Sequence, residues 1–160
     1  MKKTGFIVFS ENGHSLSIAE KIKKIIEKEK IQAEINQIKI ESEETVNAAT
    51  SNFSFNEASG KVDKYDFIVF ISFVAGFALN PVMKKYLSDM PEVRGSCGIC
   101  IAAKRFKSKW TGGTQAVKKM KKICRKKGMK IIGEGIFSRK MENYEELIKD
   151  QAEFILKALE

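Results

Sequence analysis

Six consecutive residues, Ser10, Glu11, Asn12, Gly13, His14 and Ser15, bring together two hydroxyls, an amide, a glycine and the one imidazole of the chain. They lie between an apolar run and a segment of helical spacing. Backbone N–H groups at a helix N-terminus, helped by serine hydroxyls, can hold a phosphate without any lysine in the loop. Ser10, Asn12, Gly13, His14 and Ser15 are therefore candidate phosphate ligands, the plainer alternative being an ordinary strand-to-helix turn. His14 either contacts the phosphate or faces solvent, and as the only histidine it excludes a cluster of histidines on a metal.

Other reactive residues carry less. Cys97 and Cys100 have the spacing of a thiol redox motif, but such motifs work at a helix start, where the dipole stabilises a thiolate. Here the pair enters a predicted strand, whose residues three apart face opposite sides, so both read as structural, and Cys124 reads as a core thiol on a helix. No serine–histidine–aspartate order, paired catalytic carboxylates or metal-ligand spacing stands out, so no catalytic residue is assigned. The basic stretch Lys104, Arg105, Phe106, Lys107, Ser108, Lys109, Trp110 precedes a helix bearing Lys118, Lys119, Lys121, Lys122, Arg125, Lys126 and Lys127. This is either a solvated lysine face or a surface that meets an acidic redox partner protein or the phosphates of NAD(P)H. Phe106 and Trp110 would suit stacking on single-stranded nucleic acid, but no recognised nucleic-acid fold accompanies them.

The elements that must position these residues follow from apolar spacing. Residues 3–9 form a short apolar run of the kind a strand buried on both faces needs. Ile18, Ala19, Ile22, Ile25 and Ile26 then recur at helical spacing, with Ser17 and Glu20 arranged as a capping box at the helix start. Alternating Ile31, Ala33, Ile35 and Ile38 predict a second strand near a sheet edge. Residues 41–64, rich in Ser, Asn and Glu, read as a short, loosely packed helix within a long surface connection.

A second continuous apolar run at residues 67–72 predicts the central strand, followed by a glycine-containing loop over 73–79. Pro81 suits the first turn of a helix with Val82, Met83, Tyr86 and Leu87 inward, ending before Pro91. Residues 97–103 make the fourth strand. The basic helix turns Val117, Met120, Ile123 and Cys124 inward, and Gly128 suits its C-terminal cap. Residues 129–137 make the fifth strand. The last helix carries Tyr144, Leu147, Ile148, Gln151, Ile155 and Leu159 on one face, with Glu142, Glu145 and Glu146 in its first turn.

At 160 residues and 43% hydrophobic composition, the chain fits a single domain over residues 1–160. Five strands alternating with helices imply a three-layer, doubly wound α/β fold around a parallel sheet, joined by right-handed crossovers. Ligands of such sheets bind outside the carboxyl ends of the strands where strand order reverses, which selects the loops after strands one, three and four. No run is long and apolar enough for a membrane span, and three cysteines suit a reducing compartment, so the expected location is cytoplasmic. The net charge of +9 permits acidic partners.

The stretch from Ser10 to Ala19, with Asn12-Gly13-His14-Ser15 at its centre, resembles the phosphate loop of flavodoxins, in which hydroxyl residues and Gly-Asn-Thr precede a helix opening on an apolar–alanine pair. Asn12 stands where that pattern has a hydroxyl residue, His14 where it has Asn, and Phe73 where many relatives carry Pro. Tyr65-Asp66 before the central strand, Val74-Ala75-Gly76 and Asn80-Pro81-Val82 are similar to the strand-three and flavin-loop region of the same family. Gly112-Gly113, with Gly133-Glu134-Gly135, extends the likeness across nearly the whole chain apart from residues 41–64. The resemblance implies a flavodoxin-like fold with a five-stranded parallel sheet of order 2-1-3-4-5, an FMN cofactor, and a role in electron transfer or small flavin-dependent reduction. It places Val74, Ala75, Gly76 and Phe77 on one side of the flavin ring, with Ala103, Lys104 and Gly112 nearby, and leaves open whether Phe77 or Trp110 stacks on it. The alternative is a flavodoxin-like binding module without flavin, which uses its basic surface to hold an acidic partner.

Overall fold

The computed structural model describes residues 2–40, 62–105 and 112–160. In chain order its strands are β1 (Lys3–Phe9), β2 (Gln32–Gln37), β3 (Phe67–Ala75), β4 (Ala78–Leu79), β5 (Cys97–Ala103) and β6 (Lys130–Phe137). Its helices are α1 (His14–Lys28), α2 (Pro81–Asp89), α3 (Gly113–Lys126) and α4 (Tyr144–Leu159). Five strands pair in parallel in the order β2-β1-β3-β5-β6. With β4 set aside, this is the expected 2-1-3-4-5 arrangement, and β2 lies at an edge as its polar face requires.

The continuous apolar runs are explained by the two faces of the sheet. Phe67, Val69 and Ile71 of β3 point into one core with Phe6, Val8, Ile99 and Ile101, covered by Ile18, Ile22 and Ile26 of α1 and Ile148 and Ile155 of α4. Ile68 and Phe70 point into the other with Ile7, Phe9 and Cys100, covered by Val82, Met83 and Leu87 of α2 and Val117, Met120 and Cys124 of α3. Each such side chain contributes about 1.5–3 kcal/mol by leaving water. Cys97 packs with the first core and Cys100 with the second, so the two thiols do face opposite sides.

Three expectations are corrected. Helix α1 opens at His14, so Ser17 lies within it and donates its N–H to the Gly13 carbonyl at 2.9 Å instead of capping the end. The glycine's left-handed backbone turns the chain into the helix earlier than the side-chain pattern suggested. The supposed loop over 73–79 is mostly strand: β3 runs on to Ala75 and folds back antiparallel onto β4, leaving only Gly76 and Phe77 at the tip. Backbone pairing extends the strand beyond its continuously buried run. Glu142 precedes α4, whose first turn holds Glu145 and Glu146. Of the segment read as a loose helix, residues 62–64 form a 3-10 turn with Val62 buried, and residues 41–61 lie outside the described residues.

A polar cluster ties β2 to the chain entering β3. Glu34 accepts from the Tyr65 hydroxyl at 2.9 Å and pairs with Lys3 at 2.6 Å and Lys64 at 2.9 Å, while Asn36 donates to the Tyr65 oxygen at 2.5 Å. Hydrogen bonds from Lys3, Lys64 and Tyr65 hold the Glu34 carboxyl down at about 2. Because the folded carboxyl is the stronger acid, its contribution is complete above pH 4.5 and is lost as pH falls through about 2. Replacing Glu34 by Gln should lower stability at pH 7 and flatten the acid limb of the stability profile between pH 5 and about 2, read from denaturant midpoints.

Candidate functional site

The chain leaves β1, crosses to β2 on one side, then returns to β3 on the other, so strand order reverses between β1 and β3. At their carboxyl ends Phe9 pairs in register with Ser72, and the Phe9 and Phe73 rings lie 5.5 Å apart. The loop of residues 10–13 and the β3–β4 hairpin therefore emerge side by side.

The first loop is shaped by Gly13, whose φ of 81° turns the chain into α1. Asn12 accepts from the His14 N–H at 3.1 Å through Oδ1, fixing the turn. Asn12 and Gly13 are exposed, whereas His14 and Ser15 are buried. Among the described residues, Ser10 Oγ, Ser15 Oγ and His14 Nε2 are buried atoms without a hydrogen-bond partner. Buried polar groups are seldom left so, and these three fall within six residues around the N-terminus of α1.

His14 is only 5% exposed, which overturns its solvent-facing alternative. Its ring lies 5.8 Å from that of Tyr144, across the α1–α4 contact. Burial, with the charges of Arg139 and Lys21, pushes the imidazole down to about 4, so it is neutral at pH 7. Tyr144, Arg139 and Lys21 were missed as neighbours of the loop. Tyr144 was read only as a core position, and no local pattern joins the start of α4 to the start of α1.

The second and third loops meet as well. In the hairpin, Val74 pairs with Leu79 and Ala75 with Ala78, and Phe77 at the tip is 70% exposed. Gly112, with φ of 84°, lies so close that a Cβ there would sit 2.4 Å from the Phe77 carbonyl carbon. Ala103 pairs with Phe73 on one side and Phe137 on the other. Lys104 is buried despite its place in a basic stretch: its N–H donates to the Phe137 carbonyl at 2.8 Å and its stem runs beside Gly113. Burial lowers its pKa. Val74 and Ala75 end β3, Gly76 and Phe77 form the hairpin tip against Gly112, and Ala103 ends β5 with Lys104 following it, all at the carboxyl end of the sheet. Trp110, Phe106 and Lys107 lie outside the described residues. Asn80 was not singled out by chemistry, yet it is buried and caps α2 by accepting from the Val82 N–H at 2.8 Å.

Helix α3 has no acidic residue, and Lys118, Lys121, Lys122, Arg125 and Lys126 line a 590 Å³ groove on its outer face. Lys121 pairs with Glu134 of β6 at 3.3 Å. Among the described residues, no group of three or more His, Cys, Asp or Glu is arranged to hold a metal ion, and no helix is long and apolar enough to cross a membrane.

No family model matches the chain, and no curated protein matches it. Solved structures do. A flavoprotein in complex with FMN from Lactobacillus acidophilus superposes with a TM-score of 0.64 at 21% identity, over 85% of this chain and 93% of that one. Oxidised flavodoxin 2 from Bacillus cereus gives 0.69 at 14% identity over 99% of both chains. A Fusobacterium nucleatum flavodoxin bound to flavin mononucleotide gives 0.67 at 12% identity over 99% of both. These likenesses show that the chain has the flavodoxin-like fold.

The two left-handed glycines should respond differently to substitution. Gly13→Ala meets nothing within 4 Å and should cost only the backbone strain, about 1–2 kcal/mol. Gly112→Ala adds the collision with Phe77, about a further 1–3 kcal/mol. Denaturant midpoints of the two variants check the order.

Proposed function

We propose that this chain binds FMN, with the phosphate in the loop of residues 10–15 and the flavin ring beside the β3–β4 hairpin, and that it serves in electron transfer or small flavin-dependent reduction. The carrying observation is the set of buried, unpartnered atoms Ser10 Oγ, Ser15 Oγ and His14 Nε2 at the N-terminus of α1, where strand order reverses. They fit a phosphate: hydroxyls donate, backbone N–H groups donate, and the helix dipole favours negative charge. The FMN-bound Lactobacillus acidophilus and Fusobacterium nucleatum proteins share the fold.

When bound, the flavin supplies the redox chemistry and the chain positions the ring and sets the field around it. Ala75 and Gly76 offer little bulk at the hairpin, and the exposed Phe77 offers an aromatic face to a flat ring. Lys104 adds positive charge at the same end of the sheet. An acidic redox partner, or the phosphates of NAD(P)H, would meet the basic face of α3. Direct NADH and NADPH oxidation assays distinguish a reductase from a carrier.

An absorbance and fluorescence titration with FMN, repeated with riboflavin, isolates the phosphate contribution. FMN should bind much more tightly, and Ser15→Ala should weaken FMN by roughly 10-fold or more, as loss of a hydrogen bond to a charged group does, while leaving riboflavin unchanged. No FMN binding would instead favour a flavin-free module acting through its basic face. A lysine charge roughly 10 Å from the ring favours added negative charge by about 0.4 to 1.7 kcal/mol for effective dielectrics of 80 to 20. Lys104→Met should therefore lower the potential of the second reduction, measured by redox titration of the FMN-loaded protein; an unchanged or raised value contradicts that role.

A further inference from the structure

The phosphate loop lacks a counter-charge of its own. Residues 10–15 contain no lysine or arginine and one carboxylate, Glu11. Helix dipoles and hydroxyls can hold a phosphate, but a dianion brought against buried groups attracts any proton the site can accept.

Within residues 10–15, His14 carries the ring nitrogen that can accept one. It is the first residue of α1, 5% exposed, and its Nε2 has no hydrogen-bond partner among the described residues. Ser15 beside it in the chain is fully buried, with its hydroxyl in the same condition. Burial first, and then the charges around the ring, keep it neutral without a ligand. Arg139, between β6 and α4, and Lys21, further along α1, both oppose its protonation. The Tyr144 ring of α4 lies tilted beside it, and Lys21 lies 5.2 Å from that ring while paired with Glu145.

We propose that His14 takes up one proton as the phosphate of FMN enters the loop, so that the loop acquires its counter-charge only when loaded; this rests on the FMN reading above. The proton comes from solvent to the unpartnered ring nitrogen; no other bond breaks and no electron moves. The sign follows from linkage. The free imidazole titrates at about 4, and bound phosphate raises that value. FMN affinity thus gains from His14 as pH falls from the bound value toward the free one, and gains nothing at pH 8, where the ring is neutral in both states.

Because the chain has one histidine, its imidazole resonances need no assignment. The midpoint should lie near pH 4 in the free protein, rise by about one to three units with saturating FMN, and stay near its free value with riboflavin. FMN affinities of the wild type and His14→Asn at pH 8 and pH 5 give a second reading. The phosphate's own titration near pH 6 is common to both, so their ratio isolates His14 and should change about tenfold in the wild type's favour for a two-unit rise. If acid unfolding intervenes, calorimetry at pH 6 in buffers of different ionisation enthalpy should show greater proton uptake by the wild type. A midpoint unmoved by bound FMN, or equal uptake by wild type and variant, overturns this inference and leaves the FMN site standing. Failure of FMN to bind in the parallel absorbance titration overturns the FMN reading itself.

Discussion

Strands that must bury both faces constrain everything else in this molecule. Phe67, Val69 and Ile71 need one apolar layer, and Ile68 and Phe70 need another. A two-layer structure cannot supply both. Helices therefore lie on either side of the sheet, and parallel strands joined by crossover helices send every strand-to-helix loop out at the same end. The loop at Ser10, the hairpin tip and Gly112 share one end of the sheet because of this requirement.

The same well-packed scaffold tolerates local departures from ordinary protein chemistry at that end. Each buried hydroxyl left without a partner costs about 1–3 kcal/mol, and Ser10 and Ser15 are both in that state. Such costs are sustained where the surrounding contacts over-determine the backbone, and they concentrate where a ligand would relieve them. The contact of Gly112 with the backbone of Phe77 has a related effect: it joins the second and third loops, so the hairpin and the start of α3 are held against each other.

Helix α3 serves two layers at once. Ala116, Val117, Met120, Ile123 and Cys124 face the core, while the opposite side carries lysines and an arginine with no carboxylate on the helix. Burial of the apolar stripe fixes the orientation of the basic face, and that face concentrates much of the chain's net charge of +9 on one side. The field it produces is a property of packing as much as of composition.

The sequence by itself determined the strands β1 and β5 to the residue, the parallel α/β class, the strand order by resemblance, and the loop at Ser10 to Ser15. Continuous apolar runs and helical spacing are short-range signals, so they survive without knowledge of the partner. It misplaced the start of α1 because Ser17 and Glu20 satisfy a capping pattern, while the left-handed turn at Gly13 ends the loop four residues earlier. It read residues 73–79 as loop because the pairing of Val74 with Leu79 depends on backbone hydrogen bonds that no side chain announces. Only the tertiary structure decided that Lys104 is buried, that Gly112 touches Phe77, and that His14 is shielded by Tyr144 with Arg139 and Lys21 near it. Those facts join residues far apart in the chain. Burial and electrostatic environment are set by such neighbours in space, which is why the loop's composition was legible and its protonation state was not.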